Sequence, residues 1–214
     1  MHKLAFDNLV QAAKEGKVSQ QQLDASVRRI LEAKQKFGIL IPTLVPDPGK
    51  AIASTATAEH HALALELARK AVTLLKDDAS LLPLRPGEPV LVIETTAAKG
   101  LGALLDGKAF EIKNYSDHHA IADALHAARS AHQVIVTTTD ASLYPGQVKL
   151  VNELLVQNSQ IIIVSIRTPY DISVLPNAPT VLVAYGSDPP TLRAIADVLT
   201  GKLEASGILP VTLA

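Results

Sequence analysis

The chain has 214 residues, of which 48% are hydrophobic and 19% are charged, and its formal net charge is −1. This even charge balance gives no electrostatic footprint for nucleic acid or an anionic membrane, and the absence of cysteine excludes disulfides, thiol catalysis and cysteine-ligated metals. The N-terminus has no apolar signal-peptide core, and no apolar run reaches the roughly 18 residues of a membrane span. The sequence as it stands therefore predicts a cytoplasmic protein, although a longer parent with its own leader could be exported.

An N-terminal helical arm of two helices is predicted over residues 1–40. The first helix covers residues 1–17. The second begins after Ser19, which forms a capping-box pair with Gln22, and it ends at Gly38. The apolar side chains of this second helix recur at the spacing of one helix face: Leu23, Val27, Ile30 and Leu31. A stripe this regular predicts that the arm packs against another surface.

A proline-rich segment follows the arm. Three prolines fall within residues 41–50, which we predict to be extended, and a proline-rich linker is predicted over residues 41–56. The next domain is predicted over residues 57–214, and it opens with a long helix at 57–76. Four apolar residues recur at the spacing of one face of that helix: Leu63, Leu67, Ala71 and Leu74.

A regular alternation of strands and helices begins at residue 90. Strands are predicted at 90–94, 109–115, 133–139, 160–166 and 180–185. Helical segments are predicted at 97–105, 117–131, 145–158, 169–175 and 190–200. Several of the strands are nearly continuous apolar runs, as is typical of a parallel sheet covered by helices on both faces. The pattern predicts an α/β fold, a three-layer α/β/α sandwich with a mostly parallel sheet, in which the tail from residue 207 adds an edge strand.

Four segments, taken in chain order, resemble the C-terminal part of glycoside hydrolase family 3, and most closely its β-N-acetylhexosaminidase branch. They are EGKVSQQQLDASVRRILEAKQKFGIL, ALELARKAVTLLKDDASLLPL, SIRTPYDISVLP and VLVAYGSDPPTLRAIADVLTGKLEASGILPVTL. The resemblance implies that the arm is the end of a TIM-barrel region and that the rest is the sandwich domain. It also implies a barrel domain as partner, in the same or a separate chain. A barrel needs about 250 residues, and we expect none within this sequence.

The same resemblance implies that this chain holds no catalytic residue. The family's nucleophile lies on the barrel, and in the hexosaminidase branch a barrel loop also supplies the His-Asp acid/base. In the β-glucosidase branch the acid/base Glu comes from the second domain, near an Asp–Arg pair. The comparable loop here, TTTDASLYPGQ at 137–147, contains neither a Glu nor an Asp–Arg pair. This favours the hexosaminidase branch.

Four residues in loops after predicted strands are candidates for ligand or interdomain contacts: Arg167, Tyr170, Asp171 and Asp188. The carboxyl ends of strands are where open α/β sheets bind ligands. Asp171 could accept hydrogen bonds from backbone amides or pair with Arg167. Turn formation also explains each residue type, since Asp171 and Asp188 are both placed to cap the helix that follows.

Two further patterns are weaker, and we expect no cofactor and no metal. The glycines of KGLGALLDG at 99–107 lack the third position of a dinucleotide fingerprint and begin several residues after the strand. His119, Asp123 and His126 share one helix face, but no further ligand accompanies them, and a solvated polar face explains them.

These observations predict a non-catalytic C-terminal domain of a family 3 glycosidase. By the resemblance, the parent removes terminal β-linked N-acetylglucosamine from peptidoglycan or chitin fragments, and an amino-sugar glycan is a candidate ligand of the domain. Self-association through the arm is a further expectation. Two alternatives stay open: a stand-alone module that binds carbohydrate or a partner, and an independent enzyme that uses the crevice at the strand ends.

Overall fold

The computed structural model describes residues 2–40, 47–113, 115, 117–158 and 160–213. The chain divides into two compact units, Met1–Thr55 and Ala56–Ala214. None of the helices in the described ranges is long and apolar enough to cross a membrane.

The first unit is helical. It contains α1 (His2–Lys14), α2 (Gln20–Lys36) and α3 (Pro48–Ala53). The Ser19 hydroxyl accepts a hydrogen bond from the Gln22 amide at 3.2 Å, which confirms the predicted cap of α2.

The extended chain predicted over 41–50 is wrong at 48–50, where α3 begins, and its part at 41–46 falls outside the described residues. The Asp47 side chain accepts from the Gly49 amide at 2.9 Å, and Pro48 takes the first helical position, where its missing N–H costs nothing. An aspartate followed by proline therefore starts a short helix where proline content alone predicted extended chain.

Neither α1 nor α2 has a buried side chain. Large apolar residues of both helices are exposed: Leu4, Phe6, Leu9, Val27, Ile30 and Leu31. Much of the apolar stripe predicted for the second helix is therefore exposed to solvent.

The second unit opens with α4 (Ala58–Ala71), capped by Thr57, and then with an unpredicted strand, β1 (Thr73–Asp77). The predicted helix at 57–76 is therefore too long. The apolar phase that continued to Leu74 misled the prediction, because β1 instead forms an antiparallel ladder with the last strand of the sheet. The β-branched Val72 and Thr73 favour this change to extended backbone.

The remaining strands are β2 (Val90–Thr95), β3 (Lys108–Ile112), β4 (Gln133–Thr138), β5 (Ile161–Ser165) and β6 (Thr180–Val183). The helices between and after them are α5 (Leu101–Leu104), α6 (His118–Ala128), α7 (Pro145–Gln157), α8 (Asp171–Val174) and α9 (Pro189–Leu199). The six strands form one sheet in the order β1-β6-β5-β4-β2-β3, and β1 is its antiparallel member. The mostly parallel three-layer sandwich is confirmed.

Two apolar cores lie on opposite faces of this sheet. On one face α4, α5 and α9 pack against the strands through side chains such as Ala68, Leu101 and Ile195. On the other face α6 and α7 cover the sheet through Ile121 and Leu150. Strands buried on both faces explain why their sequences are continuous apolar runs rather than alternating ones.

The tail forms no strand among the described residues 207–213, so the predicted additional edge strand is wrong. β1 already occupies the free edge of β6. The tail instead passes beside the start of β1, where the Gly207 amide donates to the Val72 carbonyl at 3.0 Å.

The side of the sheet to which the chain continues changes between β2 and β4. The connection after β2 leads through α5 to β3 on one side, whereas the connection after β4 leads through α7 to β5 on the other side. Loops that diverge in this way leave a crevice at the carboxyl ends of the two strands, where α/β sheets bind ligands.

Candidate functional site

A cleft of about 390 Å³ lies at this switch point. The ends of β2 and β3, the segments after β2, β3 and β4, and the start of α7 line it: Thr95, Thr96, Ala97, Ile112, Lys113, Tyr115, Thr139, Leu143, Tyr144, Pro145, Gly146 and Gln147. Its volume is within the range of small-molecule sites, about 300–1,000 Å³, and its lining combines apolar side chains with a few polar groups.

The start of α7 shapes the floor of the cleft. Gly146 approaches the backbone of Tyr115 so closely that a Cβ at this position would overlap the Tyr115 carbonyl. The buried Gln147 side chain holds the chain after β4: its Nε2 donates to the Thr139 carbonyl at 2.8 Å, and its Oε1 accepts from the Thr139 amide at 2.9 Å. These contacts tie the start of α7 to Tyr115 and to the chain after β4.

Two hydroxyl oxygens among the lining residues are buried without a hydrogen-bond partner in the described structure, Tyr115 Oη and Thr139 Oγ1. A buried polar group left unpaired costs about 1–3 kcal/mol, so native proteins keep few of them. Burial also raises the pKa of the Tyr115 phenol above its ordinary value, which keeps the group protonated. Neither oxygen has a hydrogen-bond partner among the described residues, and neither is open to solvent.

Asp171 lies at the start of α8 and is 2% exposed. Its carboxylate accepts from the Thr138 hydroxyl at 2.5 Å and from the Ala141 amide at 2.8 Å, and the Ser165 hydroxyl lies 3.0 Å away. One carboxylate therefore ties together the ends of β4 and β5 and the loop after β4. It accepts from a backbone amide, as the sequence suggested.

Arg167 pairs with Asp140, not with Asp171 as considered from the sequence. Arg167 Nη1 and Asp140 Oδ2 are 2.8 Å apart, and Asp140 has a left-handed backbone with φ of 50°. An Asp–Arg pair is thus present at the strand ends, although no such pair lies within the 137–147 loop itself. The sequence argument missed it because the partners come from different loops.

The other two candidates differ in role. Asp188 caps α9, accepting from the Thr191 amide at 3.1 Å and from the Thr191 hydroxyl at 2.9 Å. Tyr170 is half exposed. Neither of these residues lines the switch-point cleft, and neither does Arg167 or Asp171.

The backbone amides of the glycine-rich turn after β2 donate to a side chain of the protein itself, that of Glu94. Glu94 is 2% exposed, and its two carboxylate oxygens accept from the Gly100 amide at 3.2 Å and the Gly102 amide at 2.6 Å. These amides are the donors that such a turn would offer to a phosphate. Glu94 was not singled out from the sequence, where it is one acidic residue at the end of an apolar strand.

The histidine-containing face of α6 is solvated. His119, Asp123 and His126 are all exposed. Within the described ranges, no group of three or more His, Asp or Glu side chains is arranged to hold a metal ion.

The fold defines a doubly wound α/β sandwich domain with a cleft at its switch point. Residues 72–214 match the family described as the glycosyl hydrolase family 3 C-terminal domain. The chain belongs to this family.

The chain is similar to a curated beta-N-acetylglucosaminidase/beta-glucosidase of Cellulomonas fimi, with 24% identity over 92% of this chain. It spans 40% of the length of that relative.

Among solved structures, the family 3 beta-N-acetylglucosaminidase of Paenibacillus sp. str. FPU-7 has 28% identity and a TM-score of 0.76 over 99% of this chain and 43% of its own. A fungal multi-domain family 3 beta-N-acetylglucosaminidase has 25% identity and a TM-score of 0.70 over 99% of this chain and 26% of its own.

Proposed function

We propose that this chain is a non-catalytic C-terminal domain that works with a family 3 TIM barrel, in the same or a separate chain. The observation that carries the proposal is the likeness to the Paenibacillus enzyme, which covers 99% of this chain and therefore includes the arm. We assign residues 1–40 to the end of the barrel-domain region, residues 41–56 to the connection, and residues 57–214 to the sandwich.

The acidic groups at the strand ends support a non-catalytic role. A retaining glycosidase needs two carboxyl groups about 5–5.5 Å apart across the scissile bond. Asp140 is held by Arg167, Asp171 is buried with three hydrogen-bond donors around it, and Asp188 caps a helix. Each of these carboxylates already has structural partners.

The exposed surface of the arm supports the proposal that the chain has a barrel partner. Its exposed apolar side chains form a surface that favours contact with another protein, and in the family that partner is the barrel.

We expect the arm to make the purified chain self-associate. Residues 56–214 contain both apolar cores, so this fragment should melt in one cooperative transition and stay monomeric. The full chain should show a larger oligomer fraction by analytical ultracentrifugation and rapid amide exchange in α2. A matched full chain with Val27→Ser and Ile30→Ser should return to monomer. Strong protection of residues 20–36 in a monomeric full chain would contradict a missing partner.

For the parent enzyme we propose the removal of terminal β-linked N-acetylglucosamine. The similar proteins from Cellulomonas fimi, Paenibacillus and a fungus are all described as beta-N-acetylglucosaminidases, and the Cellulomonas protein is also described as a beta-glucosidase.

The intact parent, with its barrel, should therefore hydrolyse an aryl β-N-acetylglucosaminide at least about 100-fold faster than the aryl β-glucoside, as measured by kcat/KM. A ratio of this size corresponds to about 2.7 kcal/mol of discrimination, which one well-recognised acetamido group can supply. Equal rates, or a preference for the glucoside, would place the parent in the other branch.

A further inference from the structure

The outer face of α4 is apolar and exposed, although α4 belongs to the sandwich unit and not to the arm. We propose that this face is a second docking surface for the family 3 barrel. The proposal rests on the proposed function, because it needs a barrel partner. It adds that the barrel contacts the sandwich unit directly, through Leu63, Leu67 and the neighbouring Tyr185.

The helix α4 is covered on one side only. Ala68 is its one buried side chain, and it packs into one of the two apolar cores. Leu63 and Leu67 lie about one helical turn apart and are 54% and 59% exposed. Most of the stability of a helix in a protein comes from packing of its apolar face, so two exposed leucines on one face indicate a surface that another body covers.

A groove of about 330 Å³ lies beside these leucines. Leu67 and Ala71 line it from α4, and Ala184 and Tyr185 line it from the segment after β6. The Tyr185 side chain is 36% exposed, and its hydroxyl lies 3.3 Å from the Thr73 hydroxyl. A partly exposed tyrosine next to aliphatic side chains is typical of the centre of a protein interface.

The charges around the groove favour a neutral, apolar partner surface. Asp188 is the one charged side chain among the lining residues that the structure describes, and it already accepts from the Thr191 amide and hydroxyl. On α4 itself, Lys70 pairs with Glu66 at 2.8 Å. A charged small molecule would therefore lose its hydration in this groove without gaining a counter-charge.

The α4 face is fixed before any partner arrives. Arg69 donates to the carboxylate of Asp197 in α9, from Nη2 at 2.8 Å and from Nε at 3.3 Å. Asp197 is buried, and this pair ties α4 to the helix layer of the sandwich. A surface that is ordered before docking loses little conformational entropy when it is covered.

The similar proteins indicate that the barrel is what covers this face. The Paenibacillus structure matches 99% of this chain over 43% of its own length, so more than half of that chain lies outside the match, and a barrel needs about 250 residues. In this chain α3 ends at Ala53 and α4 begins at Ala58, so a barrel that holds the arm is tethered through a connection that ends at α4. A short tether raises the effective concentration, and a modest apolar face then suffices for docking.

Thiol labelling tests the proposal, because this chain has no cysteine of its own. Leu67→Cys places a thiol on the α4 face, and Val27→Cys places one on the arm. Val156→Cys is the control, since its side chain is 90% exposed on α7, across the sheet from α4. Each variant is labelled with a maleimide in the isolated chain, diluted until it is monomeric, and in the intact parent with its barrel. Peptide mass spectrometry identifies the labelled site.

We expect the thiol at position 67 to react at least about 10-fold more slowly in the parent, because labelling then requires local opening of the interface. The thiol at position 156 should react equally fast in both proteins. Leu63→Cys repeats the measurement about one turn away, and thermal melts check that each variant is folded. Amide exchange over residues 60–67 of the unsubstituted proteins should be slower in the parent as well.

Equal labelling at positions 63 and 67 in the chain and in the parent would overturn the proposal. If the thiol at position 27 is protected in that same experiment, the barrel partner stands and only the α4 surface is wrong. Rapid labelling of the parent at positions 27, 63 and 67 would contradict the barrel partner and this surface together. Protection at position 67 that disappears when the parent dissociates from dimer to monomer would assign the face to a second copy and overturn the proposal.

Discussion

Replacing Asp171 by alanine should lower the free energy of unfolding by about 3–5 kcal/mol. The carboxylate is buried and accepts from the Thr138 hydroxyl and the Ala141 amide, with the Ser165 hydroxyl 3.0 Å away. Its removal leaves the Thr138 hydroxyl and the Ala141 amide without their acceptor in a region closed to water, whereas the Ser165 hydroxyl can still donate to the Thr168 carbonyl. Hydrogen bonds to a charged acceptor are the stronger kind, and unpaired buried donors add a further cost.

Urea unfolding followed by circular dichroism measures this effect. Asp171→Asn should have a smaller effect, because one amide oxygen can still accept. Asp123→Asn is the matched control on the exposed face of α6, and its unfolding midpoint should equal that of the unsubstituted chain. A loss below about 1 kcal/mol in Asp171→Ala would show that the network contributes little.

Replacing Glu94 by alanine should lower the free energy of unfolding by about 2–4 kcal/mol. Its carboxylate accepts from the Gly100 and Gly102 amides and is 2% exposed. Gly102 is itself buried against Ala109, so water cannot readily replace the lost acceptor. The turn that connects β2 to α5 should loosen first.

Amide exchange locates this change. Gly100 and Gly102 should exchange faster in Glu94→Ala, while amides in the centre of β5 keep their protection at low denaturant. Glu94→Gln should be intermediate, because it keeps one acceptor but turns an amide group toward a donor. Glu66→Gln, on the exposed face of α4, removes only an exposed pair with Lys70 and should change the unfolding midpoint much less than Glu94→Gln does. Unaltered exchange at Gly102 in Glu94→Ala would contradict the role assigned to the carboxylate.

The strands β2, β4, β5 and β6 were predictable because burial on both faces leaves a strong local signal, a continuous apolar run. The edge strand β3 lacks that signal, because its first residues are exposed. β1 was not predictable, since its residues continue the apolar phase of α4 and their extended form depends on pairing with β6. The tail was mispredicted for the same reason: which segment occupies a sheet edge is decided by competition between distant parts of the chain.

Only the position of the cleft, and not the residues that line it, could be predicted from the sequence. Strand ends at a switch point follow from the topology, but Thr95 ends β2, whereas Tyr115 and Thr139 come from two other segments, and the three residues carry no common spacing. That two of their hydroxyls are unpaired within the described structure is likewise something no single sequence displays. The Asp140–Arg167 pair was hidden similarly, because it joins residues 27 positions apart.

The rate of hydrolysis of an aryl β-N-acetylglucosaminide by the purified chain tests the central claim, that this domain holds no catalytic centre. We expect no turnover above the buffer rate, because Asp140 alone cannot both attack the anomeric carbon and protonate the leaving oxygen. General acid–base catalysis is worth about 10²–10⁴-fold, and it would be lost together with the nucleophile. The rate measured for Asp140→Asn should therefore equal that of the unsubstituted chain. Clear turnover by the chain that disappears in Asp140→Asn would contradict the account, since it would place the chemistry inside this domain.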